Sequence, residues 1–119
     1  MRKRTRAREL ALQILYQVDV RKDSAEELLE NLWEHQDTSD EILDDSIKEF
    51  TTKLANGTME NLERIDSIIS TYAENWQLDR MAIIDRNVMR MAAYELLYMD
   101  DIPLKVSINE AVELAKKYG

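Results

Sequence analysis

The chain has no cysteine, which excludes disulfides, thiolate metal sites and a cysteine nucleophile. Glycine occurs twice and proline once. So few helix breakers among abundant Leu, Ala, Glu, Lys and Met predict an all-α protein. Histidine occurs once, at His35, where a helix end is predicted and no paired acid–base set surrounds it. There is no Gly-rich phosphate loop, no H-E-x-x-H and no G-x-S-x-G. These absences favour binding over catalysis, with no catalytic residue, cofactor or metal expected. No apolar run approaches the roughly 18 residues of a membrane span. The basic N-terminus lacks the apolar core of a signal peptide, and a cytoplasmic protein without membrane contact is expected. No Pro/Gly/Ser-rich linker or internal repeat interrupts the 119 residues, which predicts one domain over 1–119.

What is present is charge, unevenly placed. Net charge is −8, yet Arg2, Lys3, Arg4, Arg6 and Arg8 alone contribute +5, which leaves −13 on residues 9–119. A basic arm, residues 1–8, therefore leads into an acidic body. The first helix is predicted from about Arg4 to Val20, with Ala7, Leu10, Ala11, Ile14, Leu15 and Val18 as its inward stripe. Five cations at a helix start oppose the macrodipole, at about 0.3–1 kcal/mol each when exposed. Stability alone would not choose that arrangement, so Arg4, Arg6 and Arg8 are candidate contacts for a polyanion such as RNA. A solvated tail is the other reading. Tyr16 falls opposite the stripe, near Leu12 and Gln13. It is either an exposed ring able to stack on a base or a core residue covered by the second helix.

Ser24 and Glu27 have capping-box spacing and open a second helix, with Leu28, Leu29, Leu32 and Trp33 inward and His35 at its end. Thr38 and Glu41 form another such pair. A long stripe follows, through Leu43, Ile47, Phe50, Leu54, Thr58, Leu62, Ile65, Ile69 and Tyr72. Asn56-Gly57 is its weak point, and one continuous bent helix is predicted. Asp40, Glu41, Asp44 and Asp45 read as a solvated acidic face, not as a cation site.

The most organised stretch runs from Trp76 to Gly119. Met81, Ile84, Val88, Met91, Ala92 and Met99 share one helix face, extended by Ile83, Tyr94 and Tyr98, as expected of a central helix. Arg86 and Arg90 share its clearly polar strip and are candidate partner contacts. Glu95 breaks the pattern by pointing a carboxylate at the core, which requires a donor, expected around Ser107–Asn109. After Pro103, Ser107 is placed at an N-cap with Glu110 as its box partner and Val106 and Ala111 as a staple. Lys116, Lys117 and Gly119 mark the helix end.

The runs W-x-L-D-R, D-R-N-V-M-R-M-A-A-Y-E-L-L, D-I-P-L-K-V and I-N-E-A-V-E-L-A-K-K-Y-G resemble the NusB family of transcription antitermination factors. R-A-R-E-L-A-L-Q-I-L-Y-Q near the N-terminus resembles that family's first helix. The resemblance implies about five long helices in two packed small bundles around the Met81–Met99 helix. It implies a partner, the ribosomal protein NusE, and a target, single-stranded boxA RNA, with entry into the RNA polymerase elongation complex during ribosomal RNA transcription. The arginine-rich N-terminus (Arg4, Arg6, Arg8) would bind the RNA, with Tyr16 as a stacking surface. The family continues past the equivalent of Gly119 with a last helix containing a Phe-Val-Asn-Gly run, which this sequence lacks. An apolar patch around Val112, Leu114 and Ala115, and a homodimer, are the expectations that follow. Three other readings stay open: an RNA-binding piece of a ribosomal-RNA cytosine methyltransferase, a helical protein-interaction module, and a helix-turn-helix DNA binder. Glu110 and Glu113 count against the last.

Overall fold

The computed structural model describes residues 2–35, 43–72 and 78–119. Among these are six α-helices: α1 (Lys3–Arg21), α2 (Ala25–Glu34), α3 (Asp45–Glu60), α4 (Leu62–Tyr72), α5 (Ile83–Tyr98) and α6 (Leu104–Tyr118). A single 3-10 turn, Leu78–Arg80, precedes α5, and no strand is present among the described residues. The all-α expectation holds, with one helix more than anticipated. No described helix is long and apolar enough to cross a membrane. The Thr38–Glu41 capping pair, with Asp40, lies outside the described residues. The chain divides into two compact units, Met1–Asn56 and Gly57–Gly119.

In the first unit α1 packs on α2. Ala7, Leu10, Ala11, Ile14 and Leu15 are buried as their spacing predicts, and Leu12, expected outside, is buried too. Ser24 caps α2 by accepting from the Glu27 N–H at 3.4 Å, and His35 ends it with Nδ1 2.8 Å from the Asn31 carbonyl. Of the four residues expected inward on α2, Leu29 is buried and Leu28, Leu32 and Trp33 are half-buried. Thr51 on α3 spans two elements: its hydroxyl lies 2.7 Å from the Ile47 carbonyl and 3.4 Å from that of Ala7 on α1.

α1 ends on Lys22, which sits in the left-handed region at φ 62° and returns its N–H to the Val18 carbonyl at 2.9 Å. A Cβ in that region costs roughly 1–2 kcal/mol, and glycine avoids the cost. Lys22→Gly is therefore expected to raise stability by about 0.5–1 kcal/mol, read as a higher urea midpoint at unchanged m-value. An unchanged or lower midpoint would remove this account of the α1 end.

α3 passes through Asn56-Gly57 without a break. The interruption comes at Asn61, yet even there Asn61 N–H bonds Gly57 at 3.1 Å and Ile65 N–H bonds Asn61 at 2.9 Å. The Asn61 side chain also donates to the Gly57 carbonyl at 2.8 Å, a local competition that slackens the turn. The predicted stripe is buried at Leu43, Ile47, Phe50, Leu54, Thr58, Ile65 and Ile69. Tyr72 departs from it and is 83% exposed at the end of α4.

In the second unit α5 packs on α4 and, more extensively, on α6. Gly57 faces the Tyr94 ring so closely that a Cβ there would overlap Cζ, Oη and Cε1. Tyr94 in turn stacks on Tyr98 with centroids 5.2 Å apart. Burial, and then the Glu60 carboxylate and Tyr98, push the Tyr94 phenol above the usual tyrosine range.

α6 begins three residues before the expected cap. Pro103 occupies the N-cap position at φ −58°, and the Val106 and Ser107 amides both reach its carbonyl. Proline's fixed φ suits a helix entry, so Leu104, Lys105 and Val106 join the helix and the Ser107–Glu110 box never forms. The Ser107 hydroxyl is released for another use: it donates to Glu95 Oε1 at 2.8 Å, with both residues buried. Glu95 thus meets the predicted helix, through a hydroxyl where amides were expected. Of the anticipated patch, Val112 is exposed and Leu114 is buried, while Leu104 and Ile108 add exposed apolar side chains.

Candidate nucleic-acid interface

At about 100° per residue, Arg2, Arg6, Gln13 and Tyr16 fall within an arc of roughly 80° on one side of α1, while Arg4 and Arg8 fall on the inward side. The arginines of the arm therefore part company. Arg2, Lys3 and Arg4 are exposed, Arg6 is half-buried, and Arg8 is 2% exposed. The guanidinium carbons of Arg4 and Arg8 lie 4.6 and 5.2 Å from the centroid of Phe50 on α3. An aromatic face attracts a guanidinium by about 0.5–2 kcal/mol, more as the pair loses water. Phe50 thus serves as a platform that seats the first turns of α1.

Arg6 donates to Glu9 Oε1 at 3.3 Å, one turn on. Tyr16 is 39% exposed, so its ring is open as the stacking reading requires. From Arg6 to Tyr16 the arc runs about 15 Å along the helix axis, interrupted by Glu9, which shares it and is buried. Gln13, exposed between them, adds neutral donors and acceptors.

Lys3 points elsewhere. Its Nζ lies 2.6 Å from Asp44 Oδ2, which immediately precedes α3. The same carboxylate accepts from the Ile47 N–H at 3.0 Å and the Ser46 hydroxyl at 2.7 Å through Oδ1. Asp44, read from sequence as part of a solvated face, is therefore the cap of α3 and the counter-ion of Lys3. The Lys3 ammonium first, and then the Ile47 and Ser46 bonds, hold its carboxyl well below the usual carboxylate range.

Arg86 and Arg90 are engaged inside their own unit. Arg90 makes a two-pronged pair with Asp66 on α4, Nε to Oδ1 and Nη2 to Oδ2, each 2.8 Å, and Nη1 donates to Asn87 Oδ1 at 3.2 Å. Arg86 donates to the Leu78 carbonyl at 3.0 Å and ties the 3-10 turn to α5. No group of three or more His, Asp or Glu among the described residues is arranged to hold a metal ion.

Sequence reasoning missed Phe50 as the arginine platform and Asp44 as the partner of Lys3. Both are contacts between α1 and α3, some forty residues apart, and helical spacing reports only neighbours three or four residues away. Leaving Gln13 and Arg2 out of the site was avoidable, because the wheel that singled out Tyr16 also contains them.

The fold and this face define an all-helical protein led by an arginine-rich helix. The NusB family model matches residues 5–119, and the chain belongs to the NusB family. It is 45% identical over 116 residues to the transcription antitermination protein NusB of Chloroherpeton thalassium, covering 98% of this chain and 53% of that one. It is 48% identical over 116 residues to the NusB of Trichlorobacter lovleyi, covering 98% of this chain and 78% of that one. The chain thus spans about half the length of the first relative and nearly four-fifths of the second. Among solved structures, T. maritima NusB superposes with a TM-score of 0.85 at 42% identity, over 98% of this chain and 78% of that one. The antitermination factors NusB and NusE in complex with double-stranded RNA give 0.84 at 29% identity, over all of this chain and 85% of that one.

Proposed function

We propose that this chain binds RNA through the outer face of α1 and acts, with a NusE-type ribosomal protein, in transcription antitermination. The arginine-led start of α1 carries the reading, because a helix N-terminus rich in cations is unfavourable unless an anion meets it. Relatives named as antitermination proteins support it, as does a neighbour described in complex with NusE and RNA. Arg2 and Arg6 contact phosphates and Tyr16 offers its ring to a base. Arg4, exposed and seated on Phe50, stands beside them at the start of α1. Arg8 holds the arm on Phe50, and Arg86 and Arg90 shape a partner surface from beneath. In this reading residues 1–119 work as one NusB-like domain in the cytoplasm, and the protein–RNA assembly joins the elongating polymerase. Leu104, Ile108 and Val112 are the residues for any homodimer contact.

The test is a salt titration of binding to a short boxA-like RNA, single- and double-stranded, with and without NusE. Arg2, Arg6→Ala is expected to weaken binding and to reduce the slope of log K against log salt by about 1.4 on the single strand, 0.7 per lost phosphate. Arg8→Ala is expected to lower thermal stability and leave that slope nearly unchanged. If the double variant binds as the native chain does, α1 is not the RNA site, and a protein-interaction module becomes the better reading.

A further inference from the structure

We propose that Asp44 is an intramolecular competitor for RNA at the start of α1, holding Lys3 until a phosphate oxygen takes the place of its carboxylate. The inference rests on the RNA-binding reading above. It begins from the geometry of Asp44, which sits where a bound anion would sit. One carboxylate oxygen accepts from the N-terminal turn of α3 at Ile47 and from the Ser46 hydroxyl, and the other faces the Lys3 ammonium at 2.6 Å. A helix N-terminus and a lysine are the groups that recognise phosphate, and here a carboxylate supplied by the chain satisfies both.

The consequence is a threshold. Lys3 is exposed and lies on the helix turn that carries Arg2 and Arg4, so a strand running along α1 comes within its reach. While Asp44 holds it, Lys3 adds nothing to phosphate binding, and the carboxylate repels an incoming phosphate. A ligand that already engages Arg2, Arg6 and Tyr16 has the local concentration to displace Asp44 from Lys3, whereas a polyanion held by charge alone has less to displace it with. The exchange costs the protein little. The pair is solvent-exposed, with side chains 68% and 41% accessible, and such pairs are weak. The cap bond to Ile47 uses the other oxygen and survives the exchange. Asp44 thus raises discrimination between the cognate RNA and generic polyanions at the expense of affinity.

Asp44→Asn isolates the effect, because asparagine caps helices about as well as aspartate and keeps α3 intact. Asp45→Asn, which removes the same charge from the next residue, controls for net charge. For a short boxA-like RNA, Asp44→Asn is expected to bind roughly two- to fivefold tighter, the equivalent of an exposed ion pair released. Its salt slope on the RNA should stay nearly unchanged, because Lys3 meets a phosphate in both complexes. Binding to heparin, a generic polyanion, should tighten by more than binding to the RNA. Lys3→Gln in the Asp44→Asn background should take back both gains, and Asp45→Asn should show neither. Equal gains from Asp44→Asn and Asp45→Asn, or gains that persist without Lys3, would overturn the competitor role. So would no gain at all while Arg2, Arg6→Ala still weakens RNA binding, and that outcome would leave the RNA site in place. If the native chain and every variant fail to bind RNA even with NusE, both inferences fall.

Discussion

Gly57→Ala is expected to destabilise the protein by about 1–3 kcal/mol, the range for overpacking a filled interior. The sign is the informative part. In an open helix the same change stabilises, by about 0.5–1 kcal/mol, since alanine loses less chain entropy. Gly57 lies inside α3, so propensity alone predicts a gain. The tertiary contact reverses it, because the new Cβ would overlap Cζ, Oη and Cε1 of Tyr94. That ring cannot swing away cheaply: Tyr94 is 7% exposed and stacked on Tyr98. Thermal unfolding should show a fall of roughly 5–15 °C for a chain of this size. Tyr94→Leu, which removes the ring, should make Gly57→Ala much less costly, giving a coupling energy of about 1 kcal/mol or more in a double-mutant cycle. Strict additivity, or a stabilising Gly57→Ala, would show that Gly57 does not make room for Tyr94.

Arg90→Ala is expected to cost about 2–3 kcal/mol, somewhat less than the 3–5 typical when one partner of a fully buried pair is removed. The discount follows from partial exposure, 13% of the Arg90 side chain and 28% of Asp66. Two parallel bonds of 2.8 Å join α5 to α4, and their loss leaves Asp66 facing a vacated site. Lysine cannot reproduce the fork, so Arg90→Lys should recover less than half of the loss. Arg90→Met with Asp66→Leu should be milder than Arg90→Ala, because no charge is stranded. Urea denaturation measures all three variants. A variant of normal stability that binds NusE poorly would instead make Arg90 a direct partner contact.

These expectations mark where reading the sequence succeeded and where it stopped. The α1 stripe and the Ser24 cap of α2 were legible, because each depends on residues within a turn or two, whereas the single bent helix expected through Asn56-Gly57 to Tyr72 is two helices parted at Asn61. The Ser107 box had sound local chemistry and failed. Pro103 starts α6 earlier, and the Ser107 hydroxyl bonds Glu95 on another helix. Glu95 was correctly marked as a carboxylate in need of a donor, since burial without one is costly wherever the donor comes from. Tyr72 followed its stripe in sequence and still points to solvent, because periodicity names a face and does not supply anything to cover it.

The candidate site divides in the same way. Composition and order alone determined that the protein is helical, that five of its sixteen Lys and Arg residues crowd its first eight positions, and that Tyr16 lies outside the stripe. Only the tertiary structure decided which of those charges face outward. Phe50 draws Arg4 and Arg8 inward, Asp44 takes Lys3, and Arg6 remains on the face that carries Gln13 and Tyr16. The physical reason is that a cation's role depends on what stands within a few ångströms of it, and here that neighbour comes from a helix some forty residues away.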